Sequence, residues 1–261
     1  MIPKAPHGGA GILENTAQHP PNTQNWLRVA GITKRYGQLT ALNDVGFSIR
    51  PGEILGLIGP NGSGKTTLFE CMAGVLAPAA GTLLFQDRPL SPRSRRRTLF
   101  YLPDAVAPWP AQTVRWALDF AIGFLGGRRD RLDAVIERLA VGPLLPNAIG
   151  TLSKGQRKRV LLAIGLLTAQ PVLLADEPFE GLDLRQSRDV AGVLRDHARS
   201  GRTLFLSIHQ IGDAARICDR FVLLSAGRVC GEGTLAELTA LACASNAATA
   251  GNLEEVFLAL T

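Results

Sequence analysis

The densest chemistry in the sequence lies in eight consecutive residues, Gly59-Pro-Asn-Gly-Ser-Gly-Lys-Thr66. Glycines stand at 59, 62 and 64, and a backbone without Cβ atoms can curl until its N–H groups converge on one anion. Lys65 adds a positive charge, and the Thr66 hydroxyl offers an oxygen to a hard cation such as Mg2+. The spacing is GxxxxGK followed by Ser or Thr, which suits the β and γ phosphates of a nucleotide. An apolar run, 53–58, precedes the loop, and a helical pattern opens at Lys65, so strand, loop and helix N-terminus follow in the order that binds phosphate. Pro60, Asn61, Ser63 and Thr67 complete the expected contacts. A glycine-rich turn with an incidental lysine would lack that setting.

Val172-Leu-Leu-Ala-Asp-Glu177 is a second such run, an apolar strand ending in two acids. The carboxyl ends of parallel strands are where α/β sheets place ligands. Asp176 is expected to bind Mg2+ through a water, and Glu177, facing another way, to polarise an attacking water as general base. Pro178 stops the strand. The third run, Leu152-Ser-Lys-Gly-Gln156, opens a basic helix. Ser153 caps that helix, Gly155 permits close backbone approach, and the free N–H groups at its start form a second anion site. Taken by itself, this run is a capped helix.

Together the three runs resemble the ATP-binding cassette (ABC) ATPases, whose LSGGQ signature is matched at 152–156 with Lys154 in place of the first glycine. The resemblance spans about Trp26 to Leu241 and implies ATP and Mg2+ as cofactors. It implies that Ser153, Gly155 and Gln156 clamp a nucleotide held by a second subunit. It also implies that Tyr36, in Lys34-Arg-Tyr-Gly37, stacks on adenine, and that Asp183, in Glu180-Gly-Leu-Asp183, contacts the opposite subunit. His209, in Leu206-Ser-Ile-His209, then senses the γ phosphate and holds the attacking water with Glu177. The implied catalytic set is Lys65, Glu177 and His209, and the implied metal set is Thr66, Asp104 and Asp176. Asp104, in Tyr101-Leu-Pro-Asp104, departs from the family, where glutamine is usual and reports to the membrane partner. Its shorter, charged side chain is expected to meet Mg2+ through water. Ile208 stands where serine is common.

These residues need a frame to hold them. Strand-length apolar runs at 53–59, 98–102, 171–176, 202–208 and 220–225 alternate with helical stretches at 65–76, 114–125, 131–139, 153–169, 184–199 and 212–218. Runs that are apolar at successive positions suit strands buried on both faces of a parallel sheet, so the fold class is α/β. Residues 109–150 break the alternation and read as a helical insertion, with Gly126-Gly127 and Gly142-Pro143 as breaks. The resemblance adds detail: a P-loop NTPase core with a mixed, mainly parallel sheet, an N-terminal antiparallel β subdomain and a helical signature subdomain over about 109–168. Residues 1–25, rich in Pro, Gly, Asn and Gln, read as a disordered leader, 26–241 as the cassette domain, and 242–261 as an extension with a short helix. The arginine-rich stretch 92–97 reads as a solvated connector.

Composition sets the outer limits. The chain has 261 residues, 46% hydrophobic and 19% charged, which supplies a core and excludes disorder of the whole. The 28 Lys and Arg outnumber the 22 acids, a formal net charge of +6 that permits an anionic partner without naming one. No two of the four cysteines have CxxC spacing, and a reduced, cytosolic chain is the default expectation. The longest apolar stretch, 160–175, is broken by Gln170 and Pro171, short of the roughly 20 residues a membrane span needs. With these limits, the resemblance implies an ATP-hydrolysing subunit at the cytoplasmic face of the cell membrane. Its partners are integral membrane permease subunits and a second nucleotide-binding subunit, a copy or a close paralogue, with no nucleic acid. The ending 252–261 is similar to subunits that serve export-type partners, so export is expected. Two other readings stand beside it: a soluble cassette ATPase acting on ribosomes or DNA, supported only by the basic balance, and an ATP-dependent assembly module with little turnover, suggested by Asp104.

Overall fold

A computed structural model describes residues 26–104, 106–244 and 252–261, so the leader expected over 1–25 lies outside the described residues. The chain begins with β1 (Leu27–Tyr36), β2 (Leu39–Ile49), β3 (Ile54–Ile58), α1 (Lys65–Ala73), β4 (Ala80–Phe85) and β5 (Arg88–Pro89). It continues through α2 (Pro92–Thr98), β6 (Leu99–Leu102), α3 (Val114–Leu125), α4 (Leu132–Arg138), α5 (Lys154–Leu167), β7 (Val172–Asp176) and α6 (Leu184–Arg199). The last elements are β8 (Thr203–Ser207), α7 (Ile211–Ile217), β9 (Arg220–Ser225), β10 (Arg228–Gly233), α8 (Leu235–Ala244) and α9 (Leu253–Leu260).

The five strands expected from continuous apolar runs assemble into one sheet of order β10-β9-β3-β8-β7-β6. Its strands β9, β3, β8, β7 and β6 are parallel, and β10 adds an antiparallel edge. A second sheet, β2-β1-β4-β5, is antiparallel. The fold is thus the mixed α/β arrangement expected.

Because side chains alternate along a strand, the central sheet feeds two cores. Leu55, Leu57, Leu174, Phe205 and Val222 meet Leu68 and Phe69 of α1 and the antiparallel sheet. Ile54, Ile58, Leu173, Ala175 and Leu206 meet α5 and α6 through Val160, Ile164, Val190 and Leu194. Phe69 is fully buried, with its ring edge-on to Phe205 at 4.9 Å, and burial of such a ring is worth about 2–3 kcal/mol. This contact fixes α1 across the sheet, with its N-terminus at the carboxyl end of β3. The same alternation puts Asp176 on the α1 side with Val172 and Leu174, and register pairs it with Ser207 of β8.

The 109–150 insertion holds α3, α4 and short 3-10 turns, closed by an isolated bridge between Thr113 and Ala148. The helices α3 and α4 pack on α5. One stretch differs from expectation: the arginine-rich connector is a helix, α2. Ser91 caps it by accepting from the Ser94 amide at 3.2 Å, Pro92 fits its first turn, and Arg95 donates to the Cys71 carbonyl at 2.9 Å. The helix expected over 65–76 stops at Ala73, because Gly74 turns left-handed at φ 80°. Helix α8 runs continuously through residue 241, and α9, capped by Asn252, buries Leu253 and Val256 against the domain.

Candidate active site

The loop after β3 closes on itself before α1 begins. The Ser63 amide donates to the Pro60 carbonyl at 3.1 Å, and Gly227 donates to Ser63 at 3.0 Å. Gly59 admits no side chain, since a Cβ would lie 2.3 Å from the Leu224 carbonyl oxygen. Gly64, at φ 106°, is the N-terminal cap of α1 without any capping side chain, so the first amides of that helix keep their hydrogens for a ligand. Lys65 is 7% exposed and donates to the carbonyls of Gly59 at 2.8 Å and Pro60 at 3.3 Å. Its ammonium also lies 3.9 Å from Oε1 of Glu177.

Two strand ends away stand the acids. The Thr66 hydroxyl donates to Oδ2 of Asp176 at 2.8 Å, and the Ser207 hydroxyl donates to Oδ1. Glu177 sits at φ 49°, a left-handed backbone that is uncommon for a residue with a side chain. Its amide donates to Ser207 Oγ at 2.9 Å, and its Oε2 accepts from the His209 amide at 3.0 Å. Burial raises the Glu177 carboxyl above its ordinary value, against the opposing pull of Lys65 and the His209 amide. A cavity of about 830 Å³ joins these groups; Tyr36, Asn61, Gly62, Gly64 to Thr67, Asp104, Asp176, Glu177 and His209 all line it.

Tyr36 stands at the cavity's rim, 45% exposed, with the Lys34 ammonium 5.2 Å from its ring centre. Asp104 also lines the cavity, but its carboxylate is paired with the nearly buried Lys158 of α5 at 2.5 Å. Burial opposes ionisation of Asp104, yet the Lys158 bond and charge outweigh it and hold the carboxyl below its usual range. Lys158 reaches the Asp176 carbonyl as well, at 3.4 Å. Ser153, Gly155 and Gln156 are not among the residues lining this cavity. Ser153 and Gln156 instead form a reciprocal cap, with the Ser153 amide donating to Gln156 Oε1 at 3.0 Å. Gly155 abuts Gly181, where a Cβ would lie 2.6 Å from the carbonyl oxygen. Lys154 pairs with Glu180, and Asp183 caps α6 by accepting from Gln186 at 2.8 Å.

A sequence model of the family described as "ABC transporter" matches residues 42–180. The thiamine import ATP-binding protein ThiQ of Salmonella choleraesuis is 36% identical over 198 residues, covering 74% of this chain and 84% of its own. The chain belongs to the ABC transporter family. It is an ATP-hydrolysing, ATP-binding subunit of that family. The Nod factor export ATP-binding protein I of Burkholderia orbicola is 34% identical, covering 77% of this chain and 68% of its own, and further relatives are named for sulfate/thiosulfate and phosphonate import. A solved ATP-binding subunit of an ABC transporter superimposes with a TM-score of 0.81 at 27% identity, over 90% of this chain and 99% of that one.

In this ABC subunit the oxygen donors of Thr66 and Asp176, 2.8 Å apart at the start of α1, have the hard chemistry that suits Mg2+. Among the described residues no cluster of three or more His, Cys, Asp or Glu could hold a metal alone. Two residues of the cassette site escaped sequence reasoning. Ser207 gave one signal, a hydroxyl closing the apolar run 204–206, and Lys158 gave none beyond its place in a basic helix.

Proposed function

We propose that this chain is the motor subunit of a membrane transporter, binding ATP on the 59–67 loop and hydrolysing it at Glu177. The supporting observation is the convergence, at the carboxyl ends of β3, β7 and β8, of an anion cradle, a hydroxyl–carboxylate pair and a half-buried, elevated carboxyl around one cavity. Amides of the loop and of the first turn of α1 donate to β and γ phosphate oxygens, with Lys65 turning from its own loop carbonyls to the same oxygens. Thr66 and Asp176 would hold Mg2+, which would offset the phosphate charge, and Asp104, tied to Lys158, would meet it through water. Glu177 accepts a proton from the water that attacks the γ phosphorus, as the bond to the β–γ bridging oxygen breaks and its electron pair leaves with ADP. The raised Glu177 carboxyl is the better base for it. The His209 amide fixes the base's far oxygen, and His209 lines the same cavity, where its imidazole would steady the γ phosphate. Tyr36 stacks on adenine at the rim.

Ser153, Gly155 and Gln156 serve a second nucleotide-binding subunit across a head-to-tail interface, where Asp183 also lies. Support comes from their standing outside the lining of this chain's cavity, and from the start of α5, where the cap takes only one of the first helical amides. Among the described residues no helix is long and apolar enough to cross a membrane, so the spanning part is assigned to separate permease subunits, with this subunit at the cytoplasmic face. Their cytoplasmic segments dock on the insertion, where Trp116, Phe120 and Phe124 stack as an aromatic ladder with successive ring centres 5.0–5.1 Å apart and Trp109 lies edge-on to Phe120 at 5.0 Å. Phe124 is 74% exposed. Export rests on the closing helix and one export relative, while thiamine, sulfate and phosphonate relatives are importers; flux into inside-out vesicles reads the direction. Action on ribosomes or DNA gains no support from the site. ATP affinity measured with and without Mg2+ tests the reading. Thr66→Ala is expected to keep metal-free binding and lose the Mg2+ enhancement; an unchanged enhancement would overturn the metal assignment.

A further inference from the structure

We infer that Ser207 is a positioning residue that holds both acids of the site in register, an inference that rests on the hydrolytic reading above. Ser207 ends β8, is fully buried, and closes a strand whose other members after Thr203 are apolar. A serine hydroxyl has one proton and two lone pairs, and here both kinds of capacity are used on neighbours in the site. The proton goes to Oδ1 of Asp176, while a lone pair accepts the Glu177 amide at 2.9 Å. Since Thr66 donates to Oδ2 at 2.8 Å, Asp176 is gripped at both oxygens from opposite elements, α1 and β8. That fixes its carboxylate plane.

Glu177 needs the same hydroxyl for a different reason. Its left-handed backbone, φ 49°, is sparsely populated for residues with a Cβ and persists only where surrounding contacts over-determine it. Three contacts do so: the amide donates to Ser207, the carboxylate accepts from the His209 amide at 3.0 Å, and the carbonyl accepts from the Glu180 amide at 3.1 Å. Without the hydroxyl the Glu177 N–H is left partly buried and unpaired, the peptide is free to relax, and the carboxylate loses its aim at the cavity. Asp176 and Ser207 are register partners, so the arrangement is built into the pairing of β7 and β8.

The test uses the full chain, with Ser207→Ala, Ser207→Cys and Ser207→Thr compared with wild type. Ala and Cys are expected to lower the kcat of ATP hydrolysis about tenfold or more. The KM for ATP should move less than about threefold, because the phosphate loop is untouched and Thr66 still holds Oδ2 of Asp176. Hydrogen exchange at the Glu177 amide should speed up about tenfold or more in both. Ser207→Thr keeps the hydroxyl and should retain kcat and the slow exchange. Unchanged kcat and exchange in Ser207→Ala would overturn the inference, as would equal losses in Thr and Ala tracking a common loss of thermal stability. Glu177→Gln, run in parallel, separates the two levels: wild-type turnover in that variant sinks the hydrolytic reading, whereas its inactivity beside a normal Ser207→Ala sinks only the role of Ser207.

Discussion

Gly62 and Gly64 lie two residues apart in the same loop, both with positive φ, yet alanine should affect them very differently. At Gly62, φ 79°, a Cβ would meet nothing within 4 Å. Gly62→Ala therefore costs only the left-handed backbone, about 1–2 kcal/mol. At Gly64 φ is 106°, beyond the left-handed well, and a Cβ would lie 2.8 Å from the Ala41 carbonyl oxygen and 2.8 Å from Leu42 Cδ2. The carbonyl belongs to β2 and cannot yield alone, so overpacking adds about 1–3 kcal/mol to the backbone cost. Denaturant unfolding of both variants should put Gly64→Ala below Gly62→Ala by that margin. ATP affinity should fall further in Gly64→Ala as well, because Lys65 and Thr66 follow directly on the displaced residue. Stabilities within about 0.5 kcal/mol of each other, the size of an ordinary surface change, would refute the close approach of β2 as the reason for glycine at 64.

Phe69→Ala should destabilise by about 3–5 kcal/mol in thermal or urea unfolding, since the ring is fully buried against Phe205; a loss under about 1 kcal/mol would refute its role in seating α1. His197 is buried beside Arg202, Arg131 and Arg138, and burial first, then those charges, lower its pKa from 6.5 to about 4. The unfolded chain thus takes the proton first, so stability is full above about pH 6.5 and falls by up to about 3 kcal/mol as pH drops towards 4. The His197→Gln variant should lose that slope, and an identical pH dependence in both proteins would contradict the burial argument. Phe124→Ser should leave basal ATP turnover unchanged and weaken co-purification with the membrane subunits; retention of the partner at wild-type yield would remove the aromatic ladder as the docking face.

The central strands were legible because β3, β6, β7, β8 and β9 are apolar at successive positions, a pattern that suits strands of a largely buried parallel sheet. β1 and β2 carry no such signal. They are partly exposed and interrupted by register shifts, so their period of two is blurred, and the resemblance rather than the pattern pointed to an antiparallel subdomain. Helix α2 was hidden by its arginines, which resemble a solvated linker until Ser91 and Pro92 are read as a start signal. Contiguous motifs could be read without coordinates, because the loop, the acids and the capped helix each sit within a few residues. Ser207 and Lys158 could not, because their partners lie 31 and 54 residues away and are met only through strand register and the packing of α5. The expectation for Asp104 shows the same limit, since a lysine on another element engages the carboxylate expected to face Mg2+.

The role given to Glu177 is tested most directly by measuring ATP binding and ATP turnover side by side in Glu177→Gln. The side chain keeps its shape and loses its proton acceptor, while the loop, Lys65, Thr66 and Asp176 stay intact. ATP should bind at wild-type affinity, and turnover should fall about a hundredfold or more, leaving bound ATP unhydrolysed. Turnover at the wild-type rate would show that the proton is taken elsewhere and that this carboxyl is not the base.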